Sequence, residues 1–234
     1  MKKVKLDCYT FNRNLLELQP IVNKVHNPSW WSKLKKYYEH FDVRSGIRTP
    51  VPTVKLCPGV ADYIRNPIHI KLWTDIIFRV RPDGRVTYVA PDGGARNHID
   101  THAKEQTGKD LYPGRATVKL ANPWVVKGSD KTRFMVTENH YSEELRQHGI
   151  IVSPGIINFY DQHSLNIFLV FPLKDEEYQV ELKYGTVVAT LHAMTDKPVV
   201  VNNHLTTVDE YNATQNEFPS TFFGRYYAKR KVAK

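Results

Sequence analysis

A long series of short apolar segments separated by turn residues constrains the fold of this chain more than any other feature. The segments run through residues 68–205 and are rich in valine, isoleucine, phenylalanine and tyrosine. The first two, residues 68–80 and 85–89, are joined by Arg-Pro-Asp-Gly, in which Asp83-Gly84 is a strong hairpin signal. Such spacing favours antiparallel pairing over an alternation of strands and helices. We therefore predict a mainly β fold with an antiparallel sandwich or barrel as its core.

The N-terminal residues 1–67 are predicted to add a strand and short helices to this core. Asn27 or Ser29 can cap a helix over residues 30–41, in which apolar side chains recur at three- and four-residue spacing. These side chains are Trp30, Trp31, Leu34, Tyr37, Tyr38 and Phe41. At helical spacing such a stripe is typical of a core face, and base stacking is the alternative. Prolines predict an extended crossing over residues 43–57, and a short helix follows before Pro67.

The whole chain is predicted to form one domain. Residues 1–67 are the N-terminal elaboration, residues 68–205 the β core, and residues 206–234 a short helix followed by an aromatic, basic tail. Residues 90–113 are polar and rich in glycine without a period, and a loop of this length is usually functional or disordered.

Charge and cysteine content narrow the range of partners and compartments. The net charge of +9 and the pI near 9.4 favour approach to nucleic acid, an acidic protein surface or another polyanion. No apolar run in the sequence approaches the roughly 20 residues of a membrane helix, and charges interrupt the N-terminus before a signal-peptide core forms. We therefore expect a cytosolic protein. Cys8 and Cys57 are too few for a disulfide framework or a cysteine-rich zinc site, and we predict that both are buried.

His98 and Asp100 form a His-x-Asp pair that could bind a metal ion. Residues two apart on a strand share a face, so His98, Asp100 and His102 could all point at one ion. Alternatively, His192 or His204 would join the His-x-Asp pair in a two-histidine, one-carboxylate iron site. Such a site would suit an iron-dependent oxygenase. The alternative is that these side chains are solvated or cap the polar loop.

The sequence contains no motif for the other common chemistries. It has no Gly-x-Ser-x-Gly nucleophile elbow, and Cys57 has no local signature of an activated thiol. Gly93-Gly94 is not followed by the helical pattern of a phosphate-binding loop. We therefore name no catalytic residue and expect no cofactor, with iron or magnesium as the alternatives.

Two segments of the C-terminal half resemble the core motifs of the dUTPase and dCTP deaminase family. Gly155-Ile156-Ile157-Asn158 matches the first motif of that family, and residues 185–191 match the second at the family's spacing. The resemblance implies a β-clip core in which both segments are strands led by a turn glycine. It also implies a trimer and a nucleotide pocket at Asn158, Tyr160 and Asp161. Because the family's catalytic aspartate falls at Asn158, it further implies that the hydrolase activity is lost.

Over most of its length the chain also resembles an uncharacterised protein family of tailed phages, particularly those of marine bacteria. The shared motifs are Trp30-Trp31-Ser32-Lys33, Lys55-Leu56-Cys57-Pro58, Asn122-Pro123-Trp124, Pro154-Gly155-Ile156-Ile157 and Gly185-Thr186, in this order. The resemblance implies a phage protein located in the host cytoplasm and, in one version, in the virion.

These observations lead to two competing predictions of function. The first is a non-enzymatic binding or virion-assembly protein on a degenerate dUTPase-like core, which forms homo-oligomers and contacts other phage proteins. Its partner-binding tail would comprise Arg225, Tyr226, Tyr227, Lys229 and Arg230. The second is a nucleotide-binding or nucleotide-hydrolysing protein, or an iron-dependent oxygenase. The positive charge makes nucleic acid a further candidate partner, and no membrane partner is expected.

Overall fold

The chain folds into a mainly β structure, as the sequence predicts. The computed structural model describes residues 3–23, 29–65, 67–91, 98–102, 111–140 and 143–216. Strands make up 47% and helices 16% of the described residues, with several antiparallel sheets and few helices. This arrangement belongs to the class of β sandwiches and clips.

The described residues form fifteen strands, four α-helices and two short 3₁₀ turns, Val54–Leu56 and Arg146–His148. The strands are β1 (Val4–Thr10), β2 (Tyr37–Asp42), β3 (Ile47–Pro52), β4 (Ile68–Lys71), β5 (Ile76–Val80), β6 (Val86–Val89), β7 (Ile99–His102), β8 (Arg115–Gly128), β9 (Arg133–Thr137), β10 (Ile151–Val152), β11 (Gly155–Asn158), β12 (Ser164–Pro172), β13 (Tyr178–Leu182), β14 (Val187–Ala193) and β15 (Val199–Leu205). The helices are α1 (Arg13–Leu18), α2 (Ser29–Lys33), α3 (Pro58–Arg65) and α4 (Val208–Asn216). Helices α3 and α4 agree with the two short helices that the sequence predicts.

The largest sheet has six strands. Its path runs β10-β12-β8-β1-β15, and β7 pairs with β8 next to β1. The pairing of β1 with β15 is parallel, whereas its other pairings are antiparallel. Val4 and Leu6 of β1 point into the core, and Asp7 and Tyr9 lie on the opposite face.

The 14-residue strand β8 joins two segments that the sequence separates around Asn122-Pro123. A proline inside a strand normally removes a ladder hydrogen bond. Here the pairing with β7 reaches Leu120, the pairing with β1 begins at Val125, and the pairing with β12 shifts its register opposite Pro123. The proline therefore falls in a gap between ladders, and the strand continues through it.

A four-stranded sheet brings together the two segments that resemble the dUTPase motifs. Its order is β11-β9-β14-β4, so that β9 separates the first segment from the second. The two glycines that lead these segments differ in conformation. Gly185 has φ +86°, whereas Gly155 is an ordinary strand residue with open space around it. The expectation of a turn glycine in each segment is therefore wrong for Gly155.

A three-stranded sheet, β13-β5-β6, contains the predicted hairpin. Strands β5 and β6 are antiparallel, and Gly84 in their turn has φ +86°, which a glycine adopts without steric cost. The single segment 68–80 is divided, however. Strand β4 pairs with β14 in the four-stranded sheet, whereas β5 pairs with β13 and β6, and the chain changes sheet at residues 72–75.

One buried hydrophobic cluster packs the three larger sheets against each other. The aromatic pairs Phe78–Phe171 and Phe134–Phe159 have ring centroids 5.0 Å and 5.4 Å apart. Burying each of these side chains stabilises the fold by about 1.5–3 kcal/mol. Cys8 belongs to this cluster, but Cys57 is exposed, so the prediction that both cysteines are buried is wrong for Cys57.

The predicted helix over residues 30–41 is much shorter than expected. Helix α2 ends at Lys33, and β2 begins at Tyr37 and pairs with β3. Trp31 is buried with Ala61 and Ile64 in a small separate cluster. Tyrosine and phenylalanine favour strands, and pairing with β3 over residues 37–42 overrides the helical spacing of Tyr37, Tyr38 and Phe41. The residues 43–57 therefore contain a turn and a strand instead of an extended crossing.

The polar segment 90–113 also contains a strand that the sequence did not predict. Strand β7 pairs with residues 117–120 of β8, and Ile99 is buried in the main cluster. Residues 92–97 and 103–110 of the segment lie outside the described residues. The division of the chain into one domain with boundaries at 67 and 205 stays a prediction.

Candidate interaction surface

Asn158, Tyr160 and Asp161, the residues of the predicted nucleotide pocket, lie together in a tight turn after β11. The Asn158 side chain is buried and has both ends engaged. Its Oδ1 accepts a hydrogen bond from the Tyr160 N–H at 3.0 Å, and its Nδ2 donates to Asp161 Oδ2 at 2.9 Å. Both side-chain hydrogen bonds of Asn158 are therefore made within the turn itself. Tyr160 remains half-exposed, with Lys131 Nζ 5.8 Å from the centre of its ring.

The three residues of the predicted iron site lie in different environments. His98 Nδ1 is 3.1 Å from the Ala121 carbonyl oxygen, and burial lowers the pKa of His98 more than this contact raises it. Asp100 is largely exposed and accepts a hydrogen bond from Lys119 at 3.1 Å. His192 belongs to a different sheet. Among the described residues, no three His, Cys, Asp or Glu side chains lie close enough together to hold a metal ion.

His204, the alternative third ligand, lies on the outer face of the six-stranded sheet. Its Nε2 is 3.1 Å from Asp7 Oδ1, which also accepts a hydrogen bond from Asn202 at 2.9 Å. The His204 ring stacks on Tyr9 with centroids 4.9 Å apart. Partial burial raises the pKa of Asp7, but the hydrogen bonds from Asn202 and His204 outweigh it, so that the net pKa is lowered. These contacts stabilise the pairing of β1 with β15.

A second polar group consists of Tyr63, Glu138, His140 and His192, and we call it the outer-face cluster. It is separate from the His204 group, because His192 belongs to β14 of the four-stranded sheet and Tyr63 to α3. The Tyr63 ring lies 4.2 Å from the His192 ring and 5.9 Å from the His140 ring, between centroids. The Tyr63 hydroxyl donates to the Glu138 carbonyl at 3.1 Å, and His140 Nδ1 is 2.8 Å from Glu138 Oε1. Burial and the neighbouring His140 lower the pKa of His192. Of these four residues, only His192 was named from the sequence. The alternation along β14 places His192 on the same face as Thr190, and this was the available local signal.

Three side-chain polar atoms in this cluster or in neighbouring residues are buried. Within the described part of the chain, His192 Nε2, Thr137 Oγ1 and Asn139 Nδ2 have no hydrogen-bond partner. Buried polar groups are usually satisfied by protein or water, and each one left unpaired costs about 1–3 kcal/mol. Ordered water can satisfy such atoms, and the lowered pKa of His192 favours its neutral form.

The hairpin formed by β2 and β3, residues 37–52, is the most exposed element of the structure, and we call it the arm. Every residue of β2 is exposed, and Val51 is the only half-buried residue of β3. The apolar side chains of the arm are Tyr37, Tyr38, Phe41, Val43 and Ile47, with exposed fractions from 52% to 84%. In the described residues, the two strands pair with each other and with no other strand.

The predicted partner-binding tail, Arg225, Tyr226, Tyr227, Lys229 and Arg230, lies outside the described residues. The last described element is α4, which packs on β8. Its Tyr211 is buried, and the Tyr211 hydroxyl donates to the Pro123 carbonyl at 3.1 Å. Burial raises the pKa of Tyr211 to about 12.

Comparison with known proteins leaves the chain without an assigned family. No protein-family model matches the sequence, and no curated protein matches it. The described helices include none that is long and apolar enough to span a membrane. The geometry of the arm, the turn at Asn158 and the outer-face cluster is therefore the basis for a functional proposal.

Proposed function

We propose that this chain is a non-enzymatic phage protein with a binding or assembly role, and that the arm is its contact element. The observation that carries this proposal is the exposure of five large apolar side chains on one two-stranded element. Apolar side chains scattered singly over a surface need no explanation, but a group on one projection is typical of an interaction site.

The energetics of hairpins support this role. A two-stranded hairpin is at best marginally stable in water, because few of its side chains are shielded from solvent. The arm has one surface ion pair, Arg48 with Glu39 at 3.6 Å, and such exposed pairs contribute little. Covering its apolar side chains with a partner would stabilise the arm and the complex together.

The C-terminal tail is proposed as a second contact element, with nucleic acid as a candidate ligand. The support for this part is the sequence alone, through the cluster of Arg225, Lys229, Arg230, Lys231 and Lys234. Affinity for nucleic acid would then fall steeply with salt, because bound counterions are released.

Analytical ultracentrifugation of three proteins tests the role of the arm. The double variant Tyr37→Ser/Phe41→Ser removes two exposed aromatic side chains from it. The control Leu18→Ser/Val89→Ser removes two apolar side chains that are similarly exposed elsewhere, 69% and 59%. We expect the wild-type protein and the control to associate and the arm variant to be monomeric, with all three melting at similar temperatures.

A thermal-shift assay with deoxynucleotides tests the competing function. We expect no shift in melting temperature at millimolar ligand, because the Asn158 side chain is engaged in its own turn. A monomeric wild-type protein with a clear shift would overturn the proposal in favour of a nucleotide-binding protein.

A further inference from the structure

We propose that β2 pairs antiparallel with β2 of a second copy of this chain, across a two-fold axis at Glu39. The inference rests on the proposed function of the arm as a contact element and names its partner. The new sheet would have four strands in the order β3-β2-β2-β3, two from each copy.

The hydrogen bonding of the arm shows which backbone groups of β2 are available. Thr53 N–H donates to the Lys36 carbonyl at 2.9 Å, so these two opposing residues form a hydrogen-bonded pair. Such pairs alternate with non-hydrogen-bonded pairs along an antiparallel ladder. In the register of β2 with β3, Tyr37, Glu39 and Phe41 occupy the non-hydrogen-bonded positions. Their backbone N–H and C=O groups therefore point away from β3, toward the outer edge of β2.

The opposite edge of the arm is blocked by prolines. Pro52 faces Tyr37 and Pro50 faces Glu39, so both prolines also occupy non-hydrogen-bonded positions. An ordinary residue there would point its N–H out of the β3 edge, and proline removes that donor. Prolines at an edge are a common protection against unwanted strand addition. The arm thus has one closed edge, on β3, and one open edge, on β2.

The alternation of outward-facing groups limits the register of self-pairing. Hydrogen bonds across the new edge require that outward-facing residues oppose each other. With the two-fold axis at Glu39, Tyr37 of one copy opposes Phe41 of the other, and both are outward-facing. The two Glu39 residues then exchange backbone hydrogen bonds, and the strands overlap over almost their whole length.

Charge favours a second copy over an unrelated strand. The segment begins with Lys35 and Lys36 and ends with Asp42. Antiparallel self-pairing in this register places Lys36 opposite Asp42 at both ends, and cross-strand pairs of opposite charge are stabilising. Backbone and side-chain hydrogen bonds from Arg44 and Ser45 lower the pKa of Asp42, which keeps it charged.

Self-pairing would also bring exposed aromatic side chains of the two arms into contact and tolerate the central acid of β2. Tyr37 would pack against Phe41 of the other copy twice, on one face of the four-stranded sheet. An aromatic cross-strand pair contributes more than a pair of alanines. The two Glu39 carboxylates are like charges at the axis, but each lies near its own Arg48, at 3.6 Å.

Disulfide trapping tests the register in a Cys57→Ser background, which removes the exposed native thiol. Glu39→Cys places two cysteines on the axis with Cα atoms about 5.5 Å apart, within the range of a disulfide. The control Thr49→Cys lies on β3, where the two copies are separated by three strand spacings, about 14 Å. We expect a covalent dimer on mild oxidation for Glu39→Cys and none for Thr49→Cys. Equal trapping of both, or of neither, would overturn the register.

A proline substitution tests the use of the β2 edge without disturbing the arm. Glu39→Pro removes an outward-facing N–H, so the hydrogen bonds between β2 and β3 remain, while Glu39→Ala removes the same side chain and keeps that N–H. We expect Glu39→Pro to weaken dimerisation at least about tenfold relative to Glu39→Ala, measured by sedimentation. Equal dimerisation of the two variants would refute pairing through β2. If Tyr37→Ser/Phe41→Ser abolishes association but Glu39→Pro does not, the arm is a contact element that binds in another way. Only the proposed strand pairing then fails.

Discussion

Replacing Gly185 with alanine tests whether the turn before β14 requires a left-handed residue. Thr186 N–H donates to the Lys183 carbonyl at 3.0 Å, which closes a turn with Gly185 at its third position and φ +86°. A new Cβ would lie 3.8 Å from Gln19 Nε2, an ordinary contact, so the cost is backbone strain and not a clash. That strain is about 1–2 kcal/mol. For a chain of this size it lowers the melting temperature by about 2–8 °C.

Gly155→Ala is the matched control, because Gly155 leads the other segment of the same resemblance. Its φ is not positive, and a new Cβ would meet no atom within 4 Å. The substitution restricts the unfolded chain, so we expect a change between neutral and about 1 kcal/mol of stabilisation. Urea denaturation followed by tryptophan fluorescence measures both variants. Equal destabilisation of the two proteins, or an unchanged Gly185→Ala protein, would refute the conformational difference.

Two further experiments test the polar sites. Asn158→Asp places two carboxylates at hydrogen-bond distance, and we expect it to reduce the free energy of unfolding by about 1–3 kcal/mol at neutral pH. Adding Asp161→Asn should restore that stability, and a double variant as unstable as the single one would contradict the contact. The lowered pKa of His192 means that protonation favours the unfolded chain, so its contribution to stability is present above about pH 6.5 and is lost as the pH falls. Urea denaturation between pH 5 and 8 should show a shallower pH dependence for His192→Gln, and an unchanged slope would contradict a half-buried His192 with a lowered pKa.

The sites show where reasoning from sequence reaches its limit. Asn158, Tyr160 and Asp161 were predicted as one group, and they do lie in one turn because they are neighbours in the chain. His192 was added to the His98 pair on residue type alone, and the fold places His98 just before β7 and His192 in β14 of another sheet. The outer-face cluster was missed because Tyr63 and Glu138 are far apart in the chain, and no local pattern connects α3 with the end of β9.

The sequence by itself determined the features that depend on neighbouring residues. Alternating apolar residues and turn residues indicated a mainly β chain, the Asp83-Gly84 hairpin and the helix before Pro67, because strand period, turn conformation and helix termination are local properties. Only the tertiary structure decided the order of strands in each sheet and whether residues 37–41 form a helix or a strand. The spacing of their aromatic side chains fits a helix, whereas tyrosine and phenylalanine as residue types favour strands, so the local signals conflict. In the structure residues 37–42 pair with β3 and are all exposed, and this pairing, which the local pattern does not show, decided for a strand.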